Sequence, residues 1–134
     1  MLPLARPDRP IRVLVVDDDP NMLALYEHAL KSWAAPVTVS SAETALAIIE
    51  GGAKFDVVLC DLELGGMSGR DLLKELRFGY PGLAERMVII SGTSASDADA
   101  KFLEALGDRW LQKPIKPFVV QAIVQTIGRV RIAA

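Results

Sequence analysis

Short runs of Val, Ile and Leu recur along the chain, almost uninterrupted by polar residues. They cover residues 11–16, 37–39, 55–60 and 87–90, and residues 110–112 are a candidate fifth run. Strands that are buried on both faces of a parallel sheet have this composition, whereas a strand with one solvated face alternates apolar and polar residues. The runs therefore predict the strands of a parallel sheet that is covered on both faces.

Between these runs, apolar residues recur three and four positions apart, which is the spacing of an amphipathic helix. The pattern predicts five helices, within residues 22–33, 42–49, 72–76, 102–106 and 118–130. Pro36 is expected to end the first helix and Gly51-Gly52 the second. Regular alternation of strand and helix predicts one α/β domain, with a parallel sheet, helices on both faces and right-handed crossovers.

Three helix starts carry capping residues. The tetrapeptides Ser-Ser-Ala-Glu (40–43) and Ser-Gly-Arg-Asp (68–71) have the form of capping boxes, in which a hydroxyl and an acid satisfy free backbone amides. Asp19-Pro20 fits an N-cap residue that is followed by proline at the first helical position. We expect Asp19 to cap the first helix rather than bind a metal.

The length of 134 residues suits a single domain with one core. We expect this domain to cover residues 11–131, after an extended lead-in over residues 1–10 and before a tail at residues 132–134. The net charge of −2, with both signs mixed, disfavours a nucleic-acid partner. The lone Cys60, the lack of a signal peptide and the lack of about 18 consecutive apolar residues indicate a cytoplasmic domain without membrane contact.

In such a sheet, ligands bind beyond the carboxyl ends of the strands. The predicted strands end at Asp17 and Asp18, Asp61, Ser91 and Lys113. Two carboxylates about 5 Å apart repel by roughly 3 kcal/mol at an effective dielectric of about 20, so a cation is expected among them. Oxygen ligands of this kind suit Mg²⁺.

The same residues suit phosphoryl transfer. With Asp17 and Asp18 holding the metal, Asp61 can attack as a carboxylate nucleophile and form an acyl phosphate. Lys113 and the Ser91 hydroxyl can then contact the equatorial phosphoryl oxygens, where charge develops in the transition state.

Four segments, each ending a predicted strand, carry a family resemblance. The chain resembles the receiver domains of two-component signalling from about residue 11 to residue 131, through Val-Leu-Val-Val-Asp-Asp-Asp-Pro (13–20), Asp-Val-Val-Leu-Cys-Asp-Leu-Glu-Leu-Gly-Gly-Met-Ser-Gly (56–69), Ile-Ile-Ser-Gly (89–92) and Leu-Gln-Lys-Pro (111–114). The resemblance implies a flavodoxin-like fold with the strand order 2-1-3-4-5. It also implies a signalling switch that catalyses only its own phosphorylation and dephosphorylation.

The resemblance further assigns roles to single residues. It implies that Asp61 accepts a phosphoryl group from a histidine kinase or a histidine phosphotransfer domain. It implies a Mg²⁺ site made by Asp17, Asp18, the Asp61 side chain and the backbone carbonyl of Glu63. It also implies a cis peptide bond between Lys113 and Pro114.

In the same family, Ser91 and Trp110 would form the switch pair. The hydroxyl moves toward the phosphoryl group, the aromatic ring turns inward, and the face made by the fourth helix, fifth strand and fifth helix is remodelled. That face is also a candidate homodimer surface. Glu63 and Thr93 lie two residues past Asp61 and Ser91, where side chains flank the path of a hydrolytic water, and we expect them to influence phosphoryl lifetime.

The sequence departs from the family pattern at three positions. Gly65 replaces a common proline, which leaves its loop looser. Ser91 replaces the more common threonine, and Trp110 a tyrosine or phenylalanine, so the conventional switch is in question while the phosphorylation chemistry is intact. A degenerate receiver that acts as a protein-interaction scaffold is therefore the alternative function.

Simpler interpretations apply to several other residues. His28 is expected to be a solvated helix residue, Cys60 to point into the core without a redox role, and Gly65-Gly66 to form a turn. A phosphatase of the haloacid dehalogenase type needs metal-binding acids after the lysine, and residues 114–134 contain none. A flavodoxin-like FMN site needs hydroxyls and glycine after the first strand, where three aspartates would repel phosphate. The chain is either a stand-alone regulator or a receiver from a hybrid histidine kinase.

Overall fold

The structure, a computed structural model, describes residues 9–92 and 97–133. One parallel sheet contains β1 (Ile11–Val16), β2 (Ala34–Val39), β3 (Val57–Asp61), β4 (Met87–Ser91) and β5 (Trp110–Gln112). The strand order is β2-β1-β3-β4-β5, and every neighbouring pair is parallel. The predicted parallel sheet and the order that the family resemblance implied are both confirmed.

Five main helices alternate with the strands. They are α1 (Pro20–Leu30), α2 (Ala42–Glu50), α3 (Gly69–Gly79), α4 (Asp97–Leu106) and α5 (Pro117–Ala133). A single helical turn at Pro81–Ala84 follows α3, and a 3-10 turn at Gly107–Arg109 precedes β5. Helix α5 extends to Ala133, and the expected domain boundaries stay a prediction. Within the described residues, no helix combines the length and the apolar character that a membrane span requires.

The two faces of the sheet carry separate cores. Successive strand residues point to opposite faces, so β1 sends Leu14 and Val16 to one side and Val13 and Val15 to the other. The first side packs against α2, α3 and α4, and the second against α1 and α5. Every residue of β3 and β4, and every residue of β1 except Arg12, is buried, so these central strands have no solvated face. This double burial explains the continuous apolar runs of the sequence.

Two of the three predicted caps are confirmed. The Asp19 side chain accepts a hydrogen bond from the Asn21 amide at 2.9 Å, and Pro20 occupies the first position of α1. At α3, the Ser68 hydroxyl accepts from the Asp71 amide and the Asp71 carboxylate from the Ser68 amide, both at 3.1 Å. This reciprocal pair is a complete capping box.

The capping box predicted at residues 40–43 is wrong. Ser41, not Ser40, caps α2 by accepting a hydrogen bond from the Thr44 amide at 3.1 Å. Glu43 instead accepts a hydrogen bond from the Met67 amide at 3.2 Å, in the loop after β3. Two adjacent serines have equal capping propensity, so the spacing alone favoured the wrong one.

The predicted end of the first helix is also wrong. Helix α1 ends at Leu30, and Trp33 lies in the turn that follows. Pro36 lies inside β2 rather than at a helix end, paired with Val13 of β1. Strand β2 is at the edge of the sheet, where a residue without an amide proton leaves no hydrogen bond unmade when its nitrogen faces outward.

Candidate functional site

Three carboxylates meet at the carboxyl end of the sheet. Asp17 and Asp18 follow β1, Asp61 ends β3, and these two strands are neighbours. One carboxylate oxygen from each residue lies within 4.8 Å of the other two. Asp17 and Asp61 are buried, while Asp18 is exposed. The topology thus brings together acids that are more than forty residues apart in the sequence.

Lys113 supplies the positive charge of the site. Its amide donates a hydrogen bond to the Ser91 carbonyl at 2.7 Å, which holds it at the tip of β5. Its Nζ lies 2.9 Å from Asp61 Oδ2 and 3.5 Å from Asp17 Oδ2. Burial opposes protonation, but the hydrogen bond and charge of Asp61, with the charge of Asp17, raise the pKa of Lys113 above its ordinary value. The amine is therefore a stable cation.

Among the three acids, Asp17 has the least favourable environment for a charged carboxylate. Its Oδ1 accepts a hydrogen bond from the Asp19 amide at 2.9 Å. Its Oδ2 is buried and has no hydrogen-bond partner among the described residues. Burial raises the pKa of Asp17, the charge of Asp61 adds to this effect, and the Asp19 amide and Lys113 offset part of it. An additional cation or donor would relieve this carboxylate.

Backbone amides of the loop after β3 hold two further carboxylate oxygens. The Glu63 amide donates to Asp61 Oδ1 at 3.1 Å, and the Gly65 amide approaches Asp18 Oδ2 at 3.4 Å. Gly66 has a φ of +75°, which is consistent with the turn expected at Gly65-Gly66. At the end of this loop, Gly69 packs so closely that a Cβ there would collide with the Asp61 carbonyl oxygen.

The predicted switch residues border one cavity. The Ser91 side chain is fully buried, and its hydroxyl donates a hydrogen bond to the Gly92 carbonyl at 3.1 Å. Trp110 is half-buried at the start of β5. Both residues line a cavity of about 350 Å³ with Leu103 and Gly107, below α4. Space for side-chain movement therefore exists between the two residues.

Glu63 and Thr93 are the two residues predicted to influence the lifetime of the phosphoryl group, and the structure describes only Glu63. The Glu63 side chain is exposed, and its Oε1 lies 3.6 Å from the position that a Cβ on Gly92 would occupy. Glu63 therefore extends from the β3 tip over the β4 tip. Thr93 lies outside the described residues. The role of the Glu63 carbonyl as a metal ligand stays a prediction.

The remaining sequence expectations concern residues near the site. His28 is exposed on α1. Cys60 is buried, its thiol donates to the Asp61 carbonyl at 3.2 Å, and burial raises the pKa of this thiol well above its ordinary value. A thiol that resists ionisation is a poor nucleophile and a poor redox group. The Lys113–Pro114 bond is cis, as the family resemblance implied.

The sequence patterns did not predict the environment of two polar side chains, Glu43 and Tyr26. Glu43 holds the loop after β3 through Met67, although its spacing suggested a cap. Tyr26 fits the apolar face of α1, but its hydroxyl is buried without a hydrogen-bond partner among the described residues. A polar atom on an otherwise apolar helix face was the available signal for Tyr26.

Comparisons with known proteins agree with this geometry. A family model for the response regulator receiver domain matches residues 13–125. AlgB of Pseudomonas aeruginosa, an alginate biosynthesis transcriptional regulatory protein, is 34% identical over 79% of the chain. The virulence sensor protein BvgS of Bordetella pertussis is 35% identical over 83% of the chain. The chain covers 23% of AlgB and 9% of BvgS, so it matches only a part of each.

A solved structure extends the comparison to the fold. The chemotaxis protein CheY4 of Vibrio cholerae superposes with a TM-score of 0.72 at 26% identity, over 88% of this chain and 98% of that one. The chain belongs to the response regulator receiver domain family, whose members are signalling switches.

Proposed function

We propose that Asp61 accepts a phosphoryl group from the phosphohistidine of a histidine kinase or a histidine phosphotransfer domain. One observation carries the proposal: a lysine amine lies 2.9 Å from a buried carboxylate that sits beside two further acids. In the transfer, an Asp61 oxygen forms a bond to phosphorus while the bond from phosphorus to the imidazole nitrogen breaks. The imidazole leaves with that electron pair and takes up a proton.

Asp17, Asp18 and Asp61 would hold a Mg²⁺ ion, together with the Glu63 carbonyl. The residues fit this ion, because three carboxylate oxygens lie within 4.8 Å of one another and the buried Asp17 Oδ2 has no hydrogen-bond partner among the described residues. A bound Mg²⁺ would offset the negative charge of the incoming phosphoryl group. Without Mg²⁺, the three acids and the single positive charge of Lys113 would leave the site negative, and it would repel that group.

Lys113 and Ser91 would stabilise the transferred group. Lys113 already pairs with Asp61 Oδ2, so its amine needs only a short movement to contact a phosphoryl oxygen. The Ser91 hydroxyl donates to the Gly92 carbonyl, so contact with the phosphoryl group would require rotation about one side-chain bond. Once in contact with the phosphoryl oxygens, donors of this kind stabilise charge that develops in the transition state.

The signal would leave through the face made by α4, β5 and α5. Rotation of Ser91 toward the phosphoryl group would change its packing in the cavity that it shares with Trp110. Inward movement of Trp110 would then alter the surface of this face, which could bind a partner or a second copy of the chain. Analytical ultracentrifugation with and without a phosphoryl donor measures whether two copies of the chain associate. An unchanged molecular mass would exclude the homodimer.

Intact mass spectrometry with acetyl phosphate and Mg²⁺ tests the phosphoacceptor. We expect one added phosphoryl group in the wild type and none in Asp61→Asn, whose amide is a poor nucleophile. Asp108→Asn is the matched control, because Asp108 is an exposed aspartate in the 3-10 turn before β5. Chelation of Mg²⁺ should abolish the addition.

The alternative function makes the opposite prediction. A degenerate receiver that acts as an interaction scaffold would gain no phosphoryl group from acetyl phosphate or from a phosphorylated histidine donor. Addition that persists in Asp61→Asn would also contradict the proposal, because the acceptor would then be another residue.

A further inference from the structure

The hydroxyl of Tyr26 is a polar group in an apolar core. Tyr26 lies on α1 with 1% of its surface exposed, packed in the core that α1 and α5 share with the sheet. Its hydroxyl forms no hydrogen bond to any described residue. A buried donor without an acceptor lowers stability. Phenylalanine would fill the same space without this cost, so the hydroxyl calls for a functional explanation.

Tyr26 packs in the same core as Val13 and Val15 of β1, and because side chains alternate along a strand, Asp17 lies on the side of the sheet that Tyr26 covers. Helix α1 begins next to Asp17, at the carboxyl ends of the strands, and runs back along the sheet. Long helical side chains lean toward the N-terminus of their helix, which for Tyr26 is the end that carries the acids. Burial raises the pKa of Tyr26, and the negative charges of Asp17 and Asp61 add to this effect.

The hydroxyl has a matching acceptor. Within the described residues, two buried side-chain atoms have no hydrogen-bond partner: the Tyr26 hydroxyl and Asp17 Oδ2. One is a donor and the other is a charged acceptor at the tip of the adjacent strand. Asp17 Oδ2 forms an ion pair with Lys113 Nζ at 3.5 Å, but Lys113 Nζ lies closer to Asp61 Oδ2, at 2.9 Å.

We propose that Tyr26 is a positioning residue that donates a hydrogen bond to Asp17 when the site binds Mg²⁺ and a phosphoryl group. This inference rests on the proposed function, because it requires Lys113 to turn toward the phosphoryl group. That movement takes the cation away from Asp17 Oδ2. The Tyr26 hydroxyl then replaces it as a donor and fixes the carboxylate in the orientation that holds the metal.

Tyr26→Phe separates this role from simple packing. The free variant should be at least as stable as the wild type in thermal unfolding, because it loses only an unpaired polar atom. With Mg²⁺ plus beryllofluoride, a phosphoryl mimic, calorimetry should show roughly tenfold weaker binding, the effect of one lost hydrogen bond to a charged group. Tyr80→Phe is the matched control, since Tyr80 is the other tyrosine of the chain and lines a cavity at the opposite end of the sheet.

A spectroscopic measurement reports the hydrogen bond directly. With tyrosine labelled at ¹³Cζ, the Tyr26 resonance should shift when Mg²⁺ and beryllofluoride are added, while that of Tyr80 should stay in place. Equal affinities of the wild type and Tyr26→Phe, or parallel losses of stability and affinity in that variant, would overturn the inference. If the wild type itself binds neither Mg²⁺ nor beryllofluoride, the proposed function fails as well, so the two failures are distinguishable.

Discussion

At the scale of single residues, the Asp61 carboxylate is held through both of its oxygens. Oδ1 accepts the Glu63 amide and Oδ2 accepts the Lys113 amine. These two hydrogen bonds hold the orientation of the carboxylate. In the proposed phosphoryl transfer, this would reduce the entropy lost in reaching the transition state. The side chains around it differ in exposure, since Glu63 is exposed and Ser91 is fully buried. Two predictions follow from this difference.

Glu63→Ala should slow loss of the phosphoryl group severalfold. The Glu63 carboxylate extends over Gly92, beside the Asp61 tip, where it can accept a hydrogen bond from an attacking water. Removing the acceptor leaves this water poorly oriented. The decay of phosphorylated protein after removal of the donor measures the effect, with Glu85→Ala as an exposed control at the other end of the sheet. An unchanged decay rate would end the role assigned to Glu63.

Ser91→Thr should strengthen coupling between the switch residues at little cost in stability. The added methyl group can enter the cavity of about 350 Å³ that Ser91 shares with Trp110, so overpacking is avoided. In a Trp33→Phe background, Trp110 is the only tryptophan. Its fluorescence change on adding Mg²⁺ and beryllofluoride should then be larger with threonine than with serine. A smaller change would show that the missing methyl group does not limit the switch.

At the scale of secondary-structure elements, local bonds fix where helices begin and close packing fixes where they dock. Helix α3 begins at a complete capping box and follows the loop that contains Glu63 and Gly65, next to Asp61. Helix α5 approaches β1 through Gly128, where a Cβ would lie 2.6 Å from Ile11 Cγ2. Each feature gives a stability prediction.

Asp71→Asn should destabilise the protein in a pH-dependent way. The Ser68 amide and then the Ser68 hydroxyl lower the pKa of Asp71 below its ordinary value of 3.8. Because the folded pKa is depressed, the stabilisation is present above the unfolded pKa and is lost as the pH falls through the folded pKa. The difference in urea midpoint between variant and wild type should therefore narrow between about pH 7 and about pH 3. Glu75→Gln, an exposed change on the same helix, is the control.

Gly128→Ala should lower the free energy of unfolding by about 1–3 kcal/mol, the usual cost of overpacking. Ile11 is buried and would have to shift, and its Cδ1 atom also lies 2.9 Å from the new methyl carbon. Gly79→Ala is the matched control, because a Cβ there meets no atom within 4 Å. It should be neutral or stabilising, since alanine is the better helix former. Equal denaturant midpoints for the two variants would refute the tight contact of α5 with β1.

At the scale of the whole molecule, the buried charge of Asp17 opposes folding, and Lys113 offsets only part of this effect. Because burial raises the pKa of Asp17 above 3.8, its charged form lowers stability once the pH rises through the folded pKa. Asp17→Asn should therefore unfold at a higher temperature than the wild type in the absence of metal near neutral pH. Mg²⁺ at ten times its dissociation constant should stabilise the wild type by about 1.4 kcal/mol. The variant should gain much less, and equal gains would place the metal elsewhere.

The sequence alone determined the order of elements, the strand tips and the residues at them. These features are local: apolar runs, helical spacing and the caps at Asp19 and Ser68 depend on neighbours within one or two turns. The placement of Asp61 and Lys113 at one end of the sheet followed from parallel topology. The sheet order came from the family resemblance rather than from any local signal.

Only the tertiary structure decided which partners the polar atoms find. Glu43 bonds Met67 instead of capping α2, and Pro36 fits an edge strand instead of ending a helix. The Tyr26 hydroxyl is buried without a hydrogen-bond partner among the described residues, although the sequence marks only its apolar helix face. The physical reason is that spacing fixes the face on which a side chain lies, whereas its hydrogen-bond partner depends on distant segments that packing brings within about 3 Å.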